Sequence, residues 1–190
     1  MYTSVYCLGD SNTYGFDPRS PFGDRYEGVW CQLLAQELPC KIYGDGVNGR
    51  RIREVLQHFD LLEKMLWKQS PDLLMILLGS NDILMEDAPD ASIIAGRMED
   101  LLKRLRFSFP ALPILLLSPP EIRLPGPWRE TAYRVSDLYA SLARTYGTDF
   151  LDLSRCSLSL SCDGVHFSQE GHRQLAEILK SSLQKSTSDL

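Results

Sequence analysis

Short apolar runs bounded by turn formers alternate along this chain with longer stretches of helical period. That alternation predicts a parallel sheet clad with helices on both faces, because parallel strands need long crossovers and bury both sides. Five strands are read at Ser4 to Leu8, Cys40 to Tyr43, Leu73 to Leu78, Ile114 to Ser118 and Phe150 to Leu151. Helices are expected near Val29 to Glu37, Ile52 to Lys68, Ala91 to Phe107, Trp128 to Tyr146 and Ser168 to Leu183. The runs beginning at Leu73 and Ile114 are apolar throughout, as strands buried on both faces must be. Pro71, Pro110, Pro113 and Gly147 punctuate the entries into strands. No internal repeat or linker breaks the series, so residues 1–184 are read as one domain and the polar residues 185–190 as a fraying tail.

With 190 residues, 44% of them hydrophobic, the chain is large enough to bury a full-sized core. A net charge of -5 without a concentrated basic face argues against nucleic acid or an anionic membrane as partner. No apolar stretch approaches the ~18 residues that a membrane span requires, and the start of the chain lacks a basic segment followed by an apolar one. A soluble, cytoplasmic protein is expected. The five cysteines are odd in number and form no CxxC pair, so buried free thiols are expected rather than a disulfide framework or a zinc site.

An open parallel sheet binds its ligand in the crevice at the carboxyl ends of its strands, so the residues following each strand carry the functional signal. Gly9-Asp10-Ser11-Asn12 follows the first. There Ser11 reads either as a nucleophile projecting into the crevice or as an ordinary turn or helix-capping residue. Gly44-Asp45-Gly46-Val47-Asn48-Gly49 follows the second and formally matches G-x-G-x-x-G, which would suit a nucleotide pyrophosphate. That fingerprint belongs after the first strand, however, and the acidic residue expected about 20 positions later falls inside a predicted helix near Glu63. A tight turn presenting a backbone N–H is the better use of Asn48 and Gly49. Gly79-Ser80-Asn81-Asp82 follows the third strand and offers an amide donor at Asn81, or a plain turn. Ser118-Pro119-Pro120-Glu121 follows the fourth and reads as a pocket wall, with Glu121 a solvated loop carboxylate.

Near the end of the chain, Asp163 and His166 stand three apart in a loop containing Gly164, so one short segment delivers an imidazole and a carboxylate to orient it. The competing reading is a loop with Ser168 capping the last helix. Of the other histidines, His58 is expected on a helix surface and His172 in a supporting role. The aromatic loop residues Phe16, Phe22, Tyr26, Trp128 and Phe167 either complete the core or line a pocket.

Taken in chain order, Gly9-Asp10-Ser11, Asn48-Gly49, Gly79-x-Asn81-Asp82 and Asp163-x-x-His166 resemble the four sequence blocks of the SGNH (GDSL-like) hydrolase superfamily. Tyr14-Gly15-Phe16, Gly28-Val29-Trp30 and Leu117-Ser118-Pro119-Pro120 look like its arylesterase-like branch. The resemblance implies a flavodoxin-like three-layer α/β/α sandwich with strand order 2-1-3-4-5. It also implies hydrolysis of a small carboxylic ester through an acyl-enzyme on Ser11, with His166 as base and Asp163 orienting it. The Ser11 and Gly49 N–H groups and the Asn81 amide would form the oxyanion hole, with no metal and no organic cofactor. Assembly into an oligomer is an expectation by analogy with related arylesterase-like enzymes. Arg50 and Arg51, directly after Gly49, depart from a purely lipophilic site and leave the alcohol side of the ester open.

Overall fold

In the computed structural model, which describes residues 2–185, five parallel strands form one sheet in the order β2-β1-β3-β4-β5. They are β1 (Ser4–Gly9), β2 (Lys41–Gly46), β3 (Leu73–Leu77), β4 (Ile114–Leu117) and β5 (Asp149–Leu151). The expected sandwich and strand order are both present. The pleat sends alternate residues to opposite faces. Tyr6, Leu8, Leu74, Ile76, Ile114 and Leu116 join one apolar layer, while Val5, Cys7, Leu73, Met75, Leu77, Leu115 and Leu117 join the other.

The first layer is closed by α3 (Ile52–Gln57), α4 (Phe59–Gln69), α6 (Ala91–Ser108) and α7 (Trp128–Tyr146), and the second by α2 (Trp30–Glu37) and α8 (Gln169–Lys185). Each Leu or Ile fully withdrawn from water contributes about 1.5–3 kcal/mol. Exposed ion pairs such as Lys64 with Asp60 contribute at most about 1 kcal/mol, so burial on the two sheet faces holds the sandwich together.

The expected single helix over 52–68 is broken. His58 leaves the helical region (φ −115°, ψ 33°), and the break lets α3 pack on α6 while α4 lies over β1. Two short helices absent from the apolar periodicity, α1 (Ser11–Tyr14) and α5 (Ser80–Leu84), directly follow β1 and β3. They are too short to show a periodic stripe; α1 is capped by the Asp10 side chain, and α5, with no side-chain cap, is set by its contacts with α6 and α7. Lys185, expected to begin a tail, is the last residue of α8; the rest of that tail, 186–190, lies outside the described residues. The thiol expectation is corrected in part. All five cysteines are free, but Cys40 and Cys156 are half-buried and Cys162 is exposed.

His172, in the first turn of α8, is 1% exposed and packs edge-on against the rings of Tyr26 and Phe167. Burial, helped by the positive charge of Arg25, pushes its imidazole down to about 4. The folded chain therefore refuses a proton that the unfolded chain accepts below about pH 6.5. Its share of stability is complete above that pH and is lost as the pH falls toward 4, by about 3 kcal/mol. Urea denaturation of wild type and His172→Phe at pH 7 and pH 4.5 checks this: the variant should lose distinctly less stability between the two, and equal losses would remove His172 as the cause.

Candidate active site

The carboxyl end of β1 runs straight into Asp10, whose carboxylate accepts from the Asn12 N–H (2.9 Å) and caps α1. Gly15 closes that helix in the left-handed conformation, so the chain makes one turn and stops. This places Ser11 in the first position of α1, at the sheet rim and 7% exposed. The glycine motif of β2 serves the same turn. A Cβ on Gly46 would lie 2.1 Å from the Tyr14 nitrogen, so only glycine lets the β2 end approach the α1 backbone.

Ser11 and His166 are 155 residues apart, yet the Ser11 Oγ lies 2.9 Å from His166 Nε2. The other ring nitrogen, Nδ1, lies 2.5 Å from Asp163 Oδ2. A carboxylate only accepts, so Nδ1 carries the proton and Nε2 is left to accept the Ser11 hydroxyl. The Asp163 Oδ1 also accepts the N–H groups of Val165 and His166, both at 3.1 Å. Burial alone would raise the Asp163 carboxyl, but the hydrogen bonds from the His166 ring and these two amides hold it below the usual carboxylate range. Asp163 thus stays ionised and fixes both the tautomer and the orientation of the ring.

Across the rim, the turn after β2 and the start of α5 are clasped together. The Asn81 side-chain amide donates to the Arg50 carbonyl (3.2 Å), and the Asp82 carboxylate accepts the Ile52 N–H (2.9 Å). Asp82 is fully buried and pairs with Arg97 at 3.1 Å. Burial pushes its carboxyl above the usual range against the pull of the Ile52 amide and Arg97. Gly79, which starts this turn, has φ 124° and no room for a side chain, since a Cβ would meet Pro119 and the Tyr139 hydroxyl at 2.9 Å each. The N–H groups of Ser11 and Gly49 carry no hydrogen bond to the described residues, which leaves both available as donors.

Two residues near the site, Asn12 and Glu121, escaped the sequence reading or were misread. Asn12, 2% exposed, accepts the Phe167 N–H on its Oδ1 at 2.8 Å and so staples the segment of Ser11 to the segment of His166. Its only signal in the sequence was its place beside Ser11. The Phe16 ring packs 4.9 Å from the His166 ring, whereas Tyr26 and Phe167 are core residues and Phe22 is 88% exposed. Glu121 is corrected: it is no solvated loop carboxylate but is largely covered, paired with Arg123 and Arg129 and accepting from the Tyr133 hydroxyl. Two of these partners, Arg129 and Tyr133, come from α7, a helix that the local sequence of the loop does not contain. His172 is buried in support, as expected, and His58 is exposed as expected but sits at the break between α3 and α4 instead of within a helix.

Asp10 is fully buried beside the Ser80 hydroxyl, and burial pushes its carboxyl up to about 6 despite the Asn12 amide and the nearby His166. Among the described residues, no three His, Cys, Asp or Glu side chains gather as a metal-ligating group, and no helix is long and apolar enough to cross a membrane.

A parallel 2-1-3-4-5 sheet with these four blocks along its carboxyl rim is the arrangement expected of the SGNH (GDSL-like) fold. The chain belongs to the GDSL-like Lipase/Acylhydrolase family, which it matches over residues 7–174. A curated relative, an acetylxylan esterase from Xylanibacter ruminicola, is 26% identical over 209 aligned positions that take in 94% of this chain. The chain spans only 42% of that relative's length. Among solved structures, a protein described as a putative arylesterase from Agrobacterium tumefaciens superposes with a TM-score of 0.80 at 26% identity, covering 96% of this chain and 99% of that one. A carbohydrate acetylesterase from Sinorhizobium meliloti gives 0.80 at 24% identity over 96% and 99% of the two chains, a likeness of fold.

Proposed function

We propose that this protein hydrolyses carboxylic esters through an acyl-enzyme on Ser11, within a single domain of residues 1–184. The observation that carries the reading is the continuous hydrogen-bonded chain from Ser11 through His166 to Asp163, at 2.9 and 2.5 Å. In the first step the Ser11 oxygen attacks the acyl carbon while His166 Nε2 takes its proton, and His166 then gives that proton to the leaving alkoxide. Asp163 remains a carboxylate and stabilises the imidazolium. In the second step water adds to the acyl carbon, His166 again acts as base, and the acid leaves as Ser11 recovers its proton. The negative oxygen of each tetrahedral intermediate is held by the Ser11 and Gly49 N–H groups and the second N–H of the Asn81 amide.

Small acyl groups, acetyl above all, on carbohydrate or aryl alcohols are the substrates this reading favours. The Met85 methyl group, 3.6 Å from where a Gly49 side chain would begin, puts an apolar side chain beside the proposed Gly49 donor, which suits a small acyl group. The relative that acts on acetylxylan and the carbohydrate acetylesterase of the same fold support it too. A fluorophosphonate probe tests the mechanism directly. Wild type should be labelled on Ser11 and Ser11→Ala should not; labelling that survives the substitution would sink the proposal.

A further inference from the structure

Arg50 follows Gly49 and looks, in sequence, like a positive charge offered to the substrate. Its side chain is instead only 16% exposed and turns back into the sheet. Nη1 donates to the Gly9 carbonyl (3.0 Å) and to the Asp45 carbonyl (2.6 Å), and Nη2 donates to Asp45 Oδ1 (2.7 Å). The Tyr6 hydroxyl fixes the other Asp45 oxygen at 2.7 Å. Gly9 and Asp45 lie at the carboxyl ends of adjacent strands, the point at which the ladder between β1 and β2 runs out. The guanidinium is thus a second donor to the Gly9 carbonyl, beside the Val47 N–H, and ties it to the Asp45 carbonyl of the neighbouring strand.

We propose that Arg50 is the positioning residue of the oxyanion site, a proposal that rests on the acyl-transfer reading above. Each of the three donors is tied to it. Ser11 stands two residues beyond the Gly9 carbonyl that Nη1 holds. Gly49 precedes Arg50 in a turn closed by the Arg50 N–H on the Val47 carbonyl (3.2 Å), and the Val47 N–H donates in turn to Gly9 (3.3 Å). Asn81 is aimed by the Arg50 carbonyl, which occupies one amide hydrogen and leaves the other for the intermediate. The partner Arg51 is spent on Glu54 at the start of α3 and takes no part. Arginine is required because its planar fork reaches three acceptors in fixed directions, whereas the point charge of lysine cannot hold all three at once.

The test is Arg50→Lys and Arg50→Ala, with Asp45→Asn as a variant that loosens the clasp while keeping Arg50. For each, kcat and KM on p-nitrophenyl acetate, the rate of fluorophosphonate labelling and the thermal midpoint are measured against wild type and Ser11→Ala. Displacing donors by a fraction of an ångström should lower kcat about ten- to a hundred-fold in both Arg50 variants. KM should stay within about threefold, since the guanidinium does not touch the substrate in this arrangement. Arg50→Lys should recover much of the thermal midpoint but little of kcat, and free guanidinium should restore part of kcat in Arg50→Ala. Asp45→Asn should show a smaller fall in kcat of the same kind and decides the matter if Arg50→Ala does not fold. Wild-type kcat in Arg50→Lys, or a rise in KM alone, overturns the assignment while leaving the acyl-transfer reading intact. An inert wild type that takes no label removes both.

Discussion

Removing the imidazole in His166→Ala, or the hydroxyl in Ser11→Ala, is expected to lower kcat/KM on p-nitrophenyl acetate by roughly 10⁴-fold or more. The two side chains act as one unit through the 2.9 Å bond between them, because the hydroxyl is a poor nucleophile until Nε2 takes its proton. Their losses should therefore not multiply. The double variant should be about as slow as the worse single one, its residual rate coming from the oxyanion donors and binding. Two independent, multiplying losses would mean that Ser11 and His166 serve separate steps, and the proton-transfer scheme would have to be abandoned. Asp163→Asn should fall between these and wild type, since an amide can favour the wrong ring tautomer yet still orient the ring.

Asn81→Ala is the second large effect expected. It deletes one oxyanion donor, which typically costs about 10²- to 10³-fold in kcat, or roughly 2.7–4 kcal/mol of transition-state stabilisation. KM should barely change because the donor meets the charged oxygen of the intermediate more strongly than the neutral carbonyl of the ester. The fold should survive, since the substitution gives up a single 3.2 Å bond to the Arg50 carbonyl while Asp82, next to it, keeps its bonds to Ile52 and Arg97. Thermal midpoints and kinetics measured on the same preparation separate the two effects. A variant with normal turnover would remove Asn81 from the mechanism, and one whose activity loss tracks its unfolding would make it a structural residue.

The part of the architecture that could be read from the chain is the part encoded locally. Leu73 to Leu77 is apolar at every position and is buried at every position. The helices at 91–108 and 128–146 begin and end within a residue of where their apolar period and their Gly and Pro boundaries place them. The weak points were segments whose conformation depends on distant neighbours. The crossover after β2 keeps an unbroken helical pattern, yet turns at His58 because α6 and the sheet lie in different directions from it. Glu121 carries no local sign of being covered, and two of its partners, Arg129 and Tyr133, come from α7.

Residue chemistry by itself determined the alternation of strands and helices and the four short blocks in which a hydroxyl, two amide-bearing turns, an imidazole and a carboxylate occur. It did so because side-chain periodicity and loop composition are properties of neighbouring residues. Only the tertiary structure decided that residue 11 meets residue 166, that Asn12 binds the Phe167 amide between them, and that Arg50 faces the strand ends instead of the crevice. Those outcomes follow from strand order and register, which bring distant segments to one rim of the sheet and which no local pattern contains.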